Sequence, residues 1–468
     1  MASDRSDIYL DTSFRAALRR LDAAGRLVKV RRQVSTACEI AALMKRHDGD
    51  RALFFENVAG YSMPVVGNLI ASRANCEVAF GMDFRGLRSA MERAISTPLV
   101  PRQLACGACQ EVVATHGIDL QRTLPVLLHA PGDAGRFITA GVVIARDPES
   151  GVYNASYHRL QIVGADRTAI RLDFGRHLRT AFERARERGQ ALPIAVCIGP
   201  DLALAYAAAF MGAQMPLDAD ELAAAGGVRG APLEVVQCVT QDLVVPASSE
   251  VVLEGSISTT ETVHEGPFGE FVGYLSDAGP APVFQVTALT RRERSIYHAI
   301  NGAGRETVML RKYVLEASAL RAVRAAVPIV EDVEMPAGGL HRFTLIVQVR
   351  KRQAQDEGLQ RNAILAAFAA QKDLNTVIVV DDDIAIRDPE EVTYALATRM
   401  DAARDLLVIP GARGHEYVRV SNAGIGTKLG IDATVPFGER ERFRRVAFAD
   451  ASLAPEDMDA QPSAALMF

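Results

Sequence analysis

The chain has 468 residues, of which 49% are hydrophobic and 23% charged, and its formal net charge is −5. This length predicts two or three domains, and the composition is typical of folded globular proteins rather than of disordered ones. The sequence has no basic cluster and no apolar run of about 20 residues, which excludes nucleic acid and membrane from the expected partners.

The N-terminus and the cysteines indicate a cytoplasmic protein. The first residues, MASDRSDIYLD, lack the basic start and the apolar stretch of a signal peptide. Six cysteines in a chain of this length do not suggest a secreted disulfide framework. Cys106 and Cys109 make one CxxC pair. A zinc site would need a second pair, which the sequence lacks, and a thioredoxin-like site would need a strand before the pair and a helix after it, so we expect an ordinary loop there.

Residues 1–115 have the pattern of a mixed α/β segment. Ser13 is placed to cap a helix through AALRRLDAA that Gly25 ends, and the strand LVKV follows. A second helix is expected from Thr36 to Lys45. The runs ALFFENV and MPVVGNLI are apolar and rich in β-branched residues, so they predict two strands.

Residues 116–318 are dense in strand patterns. FITAGVVIARD, VYNASYHRLQIV and TAIRLDF are separated by polar turns and predict an antiparallel meander. A helix is expected after His177, then the strand PIAVCIG and an Ala-rich helix from Leu202 to Phe210. LEVVQCV, EVVLEGSI and PVFQVTALT predict later strands. Their irregular spacing favours a barrel with helical insertions over a sandwich.

Residues 319–468 return to an alternation of strands and helices. FTLIVQVRK and TVIVVDDDI predict strands, and GLQRNAILAAFAAQ between them predicts a helix. A further helix is expected to begin at Pro389, with Asp388 as its N-cap. This alternation predicts a parallel α/β layer. The tail from Ala449 onward, rich in Ala, Pro and Asp, is expected to form an oligomerisation arm or a partly ordered end.

Two motifs in this last segment have ordinary explanations. The triple Asp381–Asp382–Asp383 resembles a metal cluster, but it follows a strand and precedes a helix, where turn formation and helix-end electrostatics account for acidic residues. The glycines between Gly424 and Gly430 miss the spacing of a dinucleotide-binding loop by one residue and lack its strand–turn–helix setting.

The segment NASYHR is a stronger candidate for chemistry. In a strand, Asn154, Ser156 and His158 would share one face, while Tyr157 and Arg159 would share the other. An arginine inside a barrel strand can hold a carboxylate through two parallel hydrogen bonds. A structural ion pair is the alternative.

Asn154, His177 and Glu221 are a candidate metal site. An amide oxygen, an imidazole and a carboxylate suit Mn²⁺ or Mg²⁺ better than a structural zinc ion, which prefers sulfur and nitrogen. Their separation along the chain does not by itself show that the three side chains meet.

The segment EGPFGEF, from Glu265 to Phe271, is the third candidate. Its glycines and proline exclude a helix and predict a tight turn, with Glu265 and Glu270 on either side. Of two carboxylates near one arginine, one can stay ionised while the other carries a proton. A surface turn with solvated acids is the alternative, but Phe268 and the apolar strands on both sides favour a buried turn.

Together these residues resemble a known family, the UbiD-like decarboxylases, which use prenylated FMN. The resemblance covers nearly the whole chain and depends on several separated blocks that occur in the family's order. The blocks are NASYHRLQIVG (154–164), RLDFGRH (171–177), DELAAAGGVRGAPLEVVQC (220–238), EGSISTTETVHEGPFGEFVGY (254–274), VVDDDIAIRDPEEVTYALATR (379–399) and GTKLGIDAT (426–434).

The resemblance implies a fold class and a set of partners. The fold class is α/β (mixed α+β), with a central split β-barrel that binds the flavin at residues 116–318, flanked by an N-terminal α/β segment (1–115) and a C-terminal one (319–468). Proteins of this family form homodimers or homohexamers and obtain prenylated FMN from a flavin prenyltransferase. The resemblance also implies a divalent metal, Mn²⁺ or Mg²⁺, and K⁺ is a candidate second ion.

The resemblance assigns the cofactor site by position. Asn154, His177 and Glu221 are similar to the ligands of an Mn²⁺-type ion that also holds the flavin phosphate, and Lys428 is similar to a lysine that reaches the flavin. The residues of the whole implied cofactor site are Asn154, Ala155, Ser156, Tyr157, His158, Arg159, Arg176, His177, Glu221 and Lys428.

The catalytic residues follow from the same resemblance. Loss of CO₂ from an sp² carbon leaves a carbanion that amino-acid side chains cannot delocalise, so a cofactor must supply the electron sink. The resemblance implies that Arg159 orients the substrate carboxylate, that Glu270 protonates the carbon and that Glu265 tunes both by hydrogen bonding. The implied reaction is the reversible, non-oxidative decarboxylation of an aromatic, heteroaromatic or α,β-unsaturated acid.

Some positions depart from the family pattern. Ala385 stands where an acid is expected, and Arg176 stands where many relatives have glutamine. The block KRQAQDEG and His415 are similar to members that act on hydroxylated benzoates, but Thr307 and Arg342 occupy the positions of a histidine and a lysine of that subgroup. A phenolic substrate is therefore not indicated, and heteroaromatic or conjugated aliphatic acids stay open.

Two other functions are compatible with parts of this pattern. One is a metal- or flavin-binding homologue without catalysis, against which the intact arginine and both glutamates argue. The other is a metal-dependent hydrolase that uses Asn154, His177 and Glu221 without a flavin.

Overall fold

The structure is a computed structural model that describes residues 11–173, 176–210 and 214–448. Within these ranges the strands form four sheets, one of which is a curled, barrel-like sheet at the centre of the chain. The predicted α/β fold class is confirmed. No helix in the described ranges combines the length and the apolar character needed to cross a membrane. The predicted arm from Ala449 onward lies outside the described residues.

The N-terminal segment begins with the predicted helix. Ser13 caps helix α1 (Phe14–Ala23), because its side chain accepts a hydrogen bond from the backbone N–H of Ala16. Helix α2 (Glu39–Arg46) begins three residues later than predicted, because Cys38 has φ +65° and a right-handed helix cannot include it. The other elements of this segment are β1 (Leu27–Val30), β2 (Ala52–Phe55), β3 (Val65–Gly67), α3 (Arg73–Phe80) and α4 (Phe84–Ser96).

The middle of the chain supplies most of the strands. They are β4 (Arg102–Gln103), β5 (Val112–Ala114), β6 (Phe137–Ile138), β7 (Val142–Arg146), β8 (Tyr153–Tyr157), β9 (Leu160–Ile162), β10 (Arg167–Ile170), β11 (Leu192–Ile198), β12 (Glu234–Gln237), β13 (Val244–Pro246), β14 (Val251–Glu265), β15 (Gly279–Arg291) and β16 (Tyr297–His298). The helices among them are α5 (Leu120–Thr123), α6 (His177–Glu187), α7 (Leu202–Ala207) and α8 (Glu221–Arg229).

The central sheet curls because a very short connection joins its two ends. Its strand order is β6-β9-β10-β15-β14-β11-β7-β8, with β5 paired to β15. Strand β8 is one edge and β9 lies next to the opposite edge, yet only His158 and Arg159 separate them in the chain. Three Cα–Cα steps span at most about 11 Å. The two ends of the sheet must therefore approach each other, and the sheet forms a split barrel.

Two segments in this region that were predicted as single strands are each divided into two strands. VYNASYHRLQIV is not one strand, because β8 pairs with β7 at one edge whereas β9 pairs with β6 and β10 near the other. FITAGVVIARD is divided in the same way, since β6 and β7 belong to opposite sides of the split. The predicted meander therefore holds for the pairs β7–β8 and β9–β10 but not across the whole segment.

A long helix that no sequence pattern predicted crosses the expected boundary between the middle and C-terminal segments. Helix α9 (Arg305–Ala326) has 22 residues, and buried side chains lie on most of its faces. A helix that is buried in this way shows no amphipathic stripe. The following elements are β17 (Val330–Glu334), β18 (Thr344–Val349), α10 (Leu359–Ala370), β19 (Thr376–Asp381), α11 (Pro389–Arg399), α12 (Ala402–Asp405), β20 (Leu406–Arg413) and β21 (Ile425–Ala433).

The C-terminal sheet has a parallel centre with antiparallel edges. Strands β18, β19 and β21 are parallel neighbours, as the alternation of strands and helices predicted. The outer strands β17 and β20 run antiparallel to them. One hydrophobic core connects this sheet to the rest of the chain, since Val347 of β18, Tyr313 of α9, Tyr206 of α7 and Met91 of α4 belong to the same buried cluster.

The three aspartates at the end of β19 form ion pairs. Arg399 donates to Asp381 at 2.9 Å and to the two oxygens of Asp383 at 2.8 and 2.6 Å. Asp382 accepts from Arg350 at 2.6 Å. Across the described ranges, no group of three or more His, Cys, Asp or Glu residues is arranged to hold a metal ion. The aspartates therefore stabilise the end of β19, in agreement with their ordinary explanation.

The other two motifs are also structural. Gly426 to Gly430 lie within strand β21, which excludes a dinucleotide-binding loop there. Cys109 is buried in a short turn, where desolvation raises the pKa of its thiol to about 12, and Cys106 is exposed. A thiol with so high a pKa is a weak nucleophile and a weak metal ligand.

We expect Arg399→Met to destabilise the C-terminal segment strongly. The Arg399 and Asp381 side chains are each 2% exposed, so the variant leaves a buried carboxylate without its ionic partner, at a cost of about 3–5 kcal/mol. The control is Arg350→Met, whose side chain is 51% exposed and whose loss should cost less than about 1 kcal/mol. Urea unfolding midpoints of the two variants check this, and equal midpoints would contradict it.

Candidate active site

Arg159 and the two candidate glutamates meet at the split in the barrel. The guanidinium donates to both oxygens of Glu265, from Nε at 2.7 Å and from Nη2 at 3.0 Å, and Nη1 donates to Glu270. Glu265 is fully buried, whereas 17% of the Glu270 side chain is exposed. Arg159 was predicted to lie inside a strand, but it lies in the two-residue crossing from β8 to β9. The crossing gives the guanidinium access to the end of β14.

The turn between the two glutamates has the tight shape that its sequence predicted. Gly266 follows directly after β14 with φ +81°, a left-handed conformation that favours glycine. The turn packs closely on the loop before α9, because a Cβ atom on Gly302 would lie 2.1 Å from the carbonyl oxygen of Gly269. Glycine at position 302 therefore allows the turn to approach this loop.

Polar side chains hold the turn in place. Gln161 accepts a hydrogen bond from the N–H of Gly266 at 2.9 Å, and Asp133 accepts one from the N–H of Gly269 at 3.0 Å. The hydroxyl of Ser276 accepts from the N–H of Phe268 at 3.2 Å and from Arg159 Nη2 at 3.1 Å. These contacts fix the turn, and with it Glu270, relative to the arginine.

The predicted metal ligands also come together. Asn154 Nδ2 lies 2.9 Å from one oxygen of Glu221, and His177 Nδ1 lies 3.6 Å from the same oxygen. The other oxygen of Glu221 accepts from the N–H of Ala155 at 3.1 Å. Glu221 is buried at the start of α8, and desolvation raises the pKa of its carboxyl. A cation beside it would offset this cost.

Ser156 connects this trio to the next part of the site. Its hydroxyl lies 3.0 Å from Asn154 Oδ1 and 3.1 Å from His158 Nε2, while His158 Nδ1 lies 2.7 Å from the carbonyl oxygen of Arg171. Desolvation lowers the pKa of His158, so the neutral ring donates from Nδ1 and accepts at Nε2. Ser156 has one proton. If it donates to His158, the amide oxygen of Asn154 keeps its lone pairs for a cation.

A cavity of about 380 Å³ opens beside these groups. Tyr157, His158, Arg159 and Arg176 of the implied cofactor site line it, and so does Glu270. Glu265 is not among the lining residues, but it pairs with Arg159 and, at 4.0 Å, with Arg171, both of which line the cavity. The volume falls within the usual range of small-molecule sites.

Lys428 does not line this cavity, and its contact with the flavin stays a prediction. It lies in β21, and its ammonium donates to the backbone carbonyls of Lys372 and Leu374 at 2.7 and 2.6 Å. These residues flank Asp373, which does line the cavity. Lys428 therefore supports the loop that bears Asp373, because its ammonium group binds two backbone carbonyls of that loop.

Family models match almost the whole described chain. The 3-octaprenyl-4-hydroxybenzoate carboxy-lyase N-terminal domain matches residues 18–93, the Rift-related domain of the same family, UbiD, matches 102–305, and its C-terminal domain matches 308–433. The chain belongs to the UbiD family. The predicted family and the prediction of a carboxy-lyase are thereby confirmed.

UbiD relatives are similar over most of their length. The chain is 36% identical to the anhydromevalonate phosphate decarboxylase of Methanothermobacter thermautotrophicus, over 89% of this chain and 95% of the relative. Among solved structures, the UbiD-class enzyme HmfF from Pelotomaculum thermopropionicum in complex with FMN has a TM-score of 0.89 and 41% identity, and covers 93% of this chain and 97% of its own. An evolved dimeric form of HmfF in complex with prFMN has a TM-score of 0.85 and 39% identity, with the same coverage.

Sequence reasoning missed part of the UbiD site. Asp133 was not singled out, because an isolated aspartate in a loop carries no pattern. Arg311 lines the cavity from α9, a helix that was not predicted. The signal available for it was the pair Arg311–Lys312 inside the apolar run VMLRKYVL, where charged residues need a buried partner or a ligand.

We expect Asp133→Ala to loosen the turn that carries Glu270. The variant removes the acceptor of the Gly269 N–H, which costs about 1 kcal/mol and raises amide exchange at the turn. Hydrogen–deuterium exchange of the peptide covering residues 266–275 measures this. Asp277→Ala, an exposed aspartate in the same segment, is the control for the lost charge. Equal exchange in the two variants would show that Asp133 does not hold the turn.

Proposed function

We propose that this UbiD-family carboxy-lyase removes CO₂ reversibly and without oxidation from an aromatic, heteroaromatic or α,β-unsaturated carboxylic acid, with prenylated FMN and a divalent metal ion. The observation that carries the proposal is that Arg159 and Glu270 line one cavity and contact each other there. An anion-binding group and a carboxyl that can exchange protons then face the same bound substrate.

The cofactor part of the proposal is supported by two features. HmfF has been solved with FMN and with prFMN, and its fold superposes on nearly all of this chain. The cavity beside Tyr157, His158 and Arg176 has room for a ligand of small-molecule size. When bound, the flavin would supply the electron sink that side chains lack.

The divalent metal is supported by the chemistry of its donors. Asn154 and His177 each lie within hydrogen-bond or ion-pair reach of Glu221, and the three side chains carry an amide oxygen, an imidazole nitrogen and a carboxylate. This set suits Mn²⁺ or Mg²⁺. We infer that these residues hold the ion, and that the ion and Arg176 together orient an anionic cofactor group.

Arg159, Glu270 and Glu265 would have separate roles in the reaction. Arg159 binds the substrate carboxylate, and because Nη1 is now engaged by Glu270, an incoming carboxylate competes with Glu270 for this nitrogen. Glu270 is then released into the cavity and holds the proton that replaces CO₂ on the carbon. Glu265 cannot reach the substrate from its buried position and acts as a positioning residue for the guanidinium.

The substrate and the assembly belong to the proposal as well. The relative from Methanothermobacter thermautotrophicus is named for a phosphorylated acid, so aliphatic as well as aromatic acids are candidates. A flavin prenyltransferase would supply the cofactor, and we expect a cytoplasmic homodimer or homohexamer.

We expect Glu270→Gln to abolish turnover while leaving the site loaded. The amide keeps the size of the side chain but cannot carry the transferred proton, so decarboxylation should fall by about a hundredfold or more. The measurement is CO₂ release by enzyme co-expressed with a flavin prenyltransferase, together with the flavin content of each preparation. Glu261→Gln, an exposed position on β14, is the control. Near-normal turnover in Glu270→Gln would refute the assigned role.

We expect Glu221→Gln to weaken binding of Mn²⁺ at least about tenfold, because a neutral amide replaces the charged ligand. Titration of free Mn²⁺ by electron paramagnetic resonance, in the presence of FMN, measures this without reference to activity. Glu187→Gln, an exposed position at the end of α6, is the control. Unchanged Mn²⁺ affinity in Glu221→Gln would remove this residue from the metal site.

A further inference from the structure

The turn that carries Glu270 is held from two different parts of the chain. It folds back on itself, since the N–H of Glu270 donates to the carbonyl oxygen of Tyr274 at 2.8 Å. Its first half is bound to the barrel, where Gln161 and Asp133 accept its backbone N–H groups. Its second half, residues 271–275, contacts the C-terminal segment. The position of Glu270 therefore depends on both attachments.

The first contact with the C-terminal segment is a cluster of aromatic rings. Phe271 follows Glu270 directly, and the centre of its ring lies 6.1 Å from that of Phe343, 5.5 Å from that of His415 and 5.9 Å from that of Tyr417. The His415 ring meets it edge to face, at 85°, which is a favoured arrangement of such rings. The backbone beside Glu270 is thereby attached to the C-terminal segment.

The second contact is Arg419, which lies between β20 and β21. Its Nη2 donates to the carbonyl oxygen of Leu275 at 2.5 Å, and its guanidinium carbon lies 4.9 Å from the centre of the Tyr274 ring. One side chain therefore contacts two consecutive residues of the turn. Within the described ranges, neither Arg419 nor Phe343 is among the residues that line the cavity. Both reach the site through the turn.

The loop between β20 and β21, residues 414–424, is itself well held. The N–H of Gly414 donates to the carbonyl oxygen of Gly424 at 2.6 Å and closes the loop at its base. The N–H of Tyr417 donates to His415 Nδ1 at 3.1 Å, and the Tyr417 hydroxyl donates to Asp173 at 3.3 Å. Desolvation raises the pKa of Tyr417 to about 12, so the hydroxyl keeps its proton. A loop with these contacts can fix the turn rather than follow it.

These contacts gain importance when a substrate enters. Under the proposed function, the substrate carboxylate displaces Glu270 from Arg159, and Glu270 then loses its ion pair. From that moment the backbone of the turn determines where the carboxyl group lies. Proton transfer requires hydrogen-bond reach, and a displacement of about 1 Å can lower a rate about a hundredfold. The attachments of the turn therefore act on the protonation step.

We propose that the loop of residues 414–424 positions Glu270 for proton transfer, and that Arg419 and Phe343 are positioning residues that act through the turn. This inference rests on the proposed function and deepens it. It assigns to the C-terminal segment a part in the protonation of the substrate carbon, in addition to its part in the cavity wall. Glu270 remains the group that carries the proton.

The variants remove one attachment at a time. Arg419→Gln removes the guanidinium from an exposed position, where folding tolerates the change. Arg419→Lys keeps a donor for the Leu275 carbonyl but not the flat contact with Tyr274, so it should retain part of the effect. Phe343→Leu weakens the ring cluster, and the Arg419 variants decide the question if it fails to fold. Arg444→Gln, whose side chain is 79% exposed, is the control for lost charge.

The first measurement needs no substrate. Hydrogen–deuterium exchange of the peptide covering residues 266–275, in the full chain loaded with FMN, should be about fivefold faster in Arg419→Gln than in Arg444→Gln, as expected for one lost hydrogen bond.

The second measurement follows CO₂ release from benzoate, thiophene-2-carboxylate and hexa-2,4-dienoate by enzyme with the prenylated cofactor. For the acid that reacts fastest, kcat of Arg419→Gln should fall about tenfold while KM stays within about twofold. The solvent isotope effect on kcat in D₂O should exceed that of wild type, because protonation becomes slower than the other steps.

Three results would overturn the inference: exchange at the turn equals that of Arg444→Gln, exchange rises while kcat and the solvent isotope effect stay unchanged, or Arg419→Gln loses flavin or raises KM instead of lowering kcat. In the second case the contact is structural, and in the third it serves binding. The proposed function is judged by the wild type. If wild type releases no CO₂ from these acids, the function fails, and the exchange data decide by themselves whether the loop holds the turn.

Discussion

The buried ion pair between Arg159 and Glu265 is the interaction on which the rest of the site depends. Glu265 is fully buried at the end of β14, and its two oxygens are bound by one guanidinium from the crossing between β8 and β9. Removing either partner would leave an uncompensated charge in the protein interior, at a cost of several kcal/mol. The same guanidinium contacts Glu270 and Ser276. One side chain therefore connects the crossing between β8 and β9 to the turn that carries Glu270.

The chain places charges where bound ligands can neutralise them. Glu221 is a buried carboxylate beside an amide and an imidazole, and in the proposed function this set of donors would hold a cation. Arg159 lies between two glutamates, and in the proposed function a substrate carboxylate would replace one of them. A buried charge costs stability unless a group of opposite charge offsets it. That cost is the physical basis of affinity and selectivity in a site of this kind.

Local signals in the sequence predicted local structure well. Ser13 begins α1 and Asp388 with Pro389 begins α11, because a cap and the residues that follow it act within one turn. The strand VYNASYHRLQIV was predicted as continuous, since its composition is uniform, but the curling of the sheet breaks it at His158. Helix α9 was missed because it is buried on most faces, and Arg311 was missed with it.

The sequence by itself determined the family, through ordered blocks of residues that need no structure to be recognised, and it named the arginine and both glutamates that meet at the split. The tertiary structure alone decided that Glu270 faces the cavity while Glu265 is buried, that Lys428 supports a loop, and that Arg311 of α9 lines the same cavity as Arg342. These facts depend on contacts between distant segments. Spacing and composition describe only neighbours along the chain, so the sequence patterns could not predict these contacts.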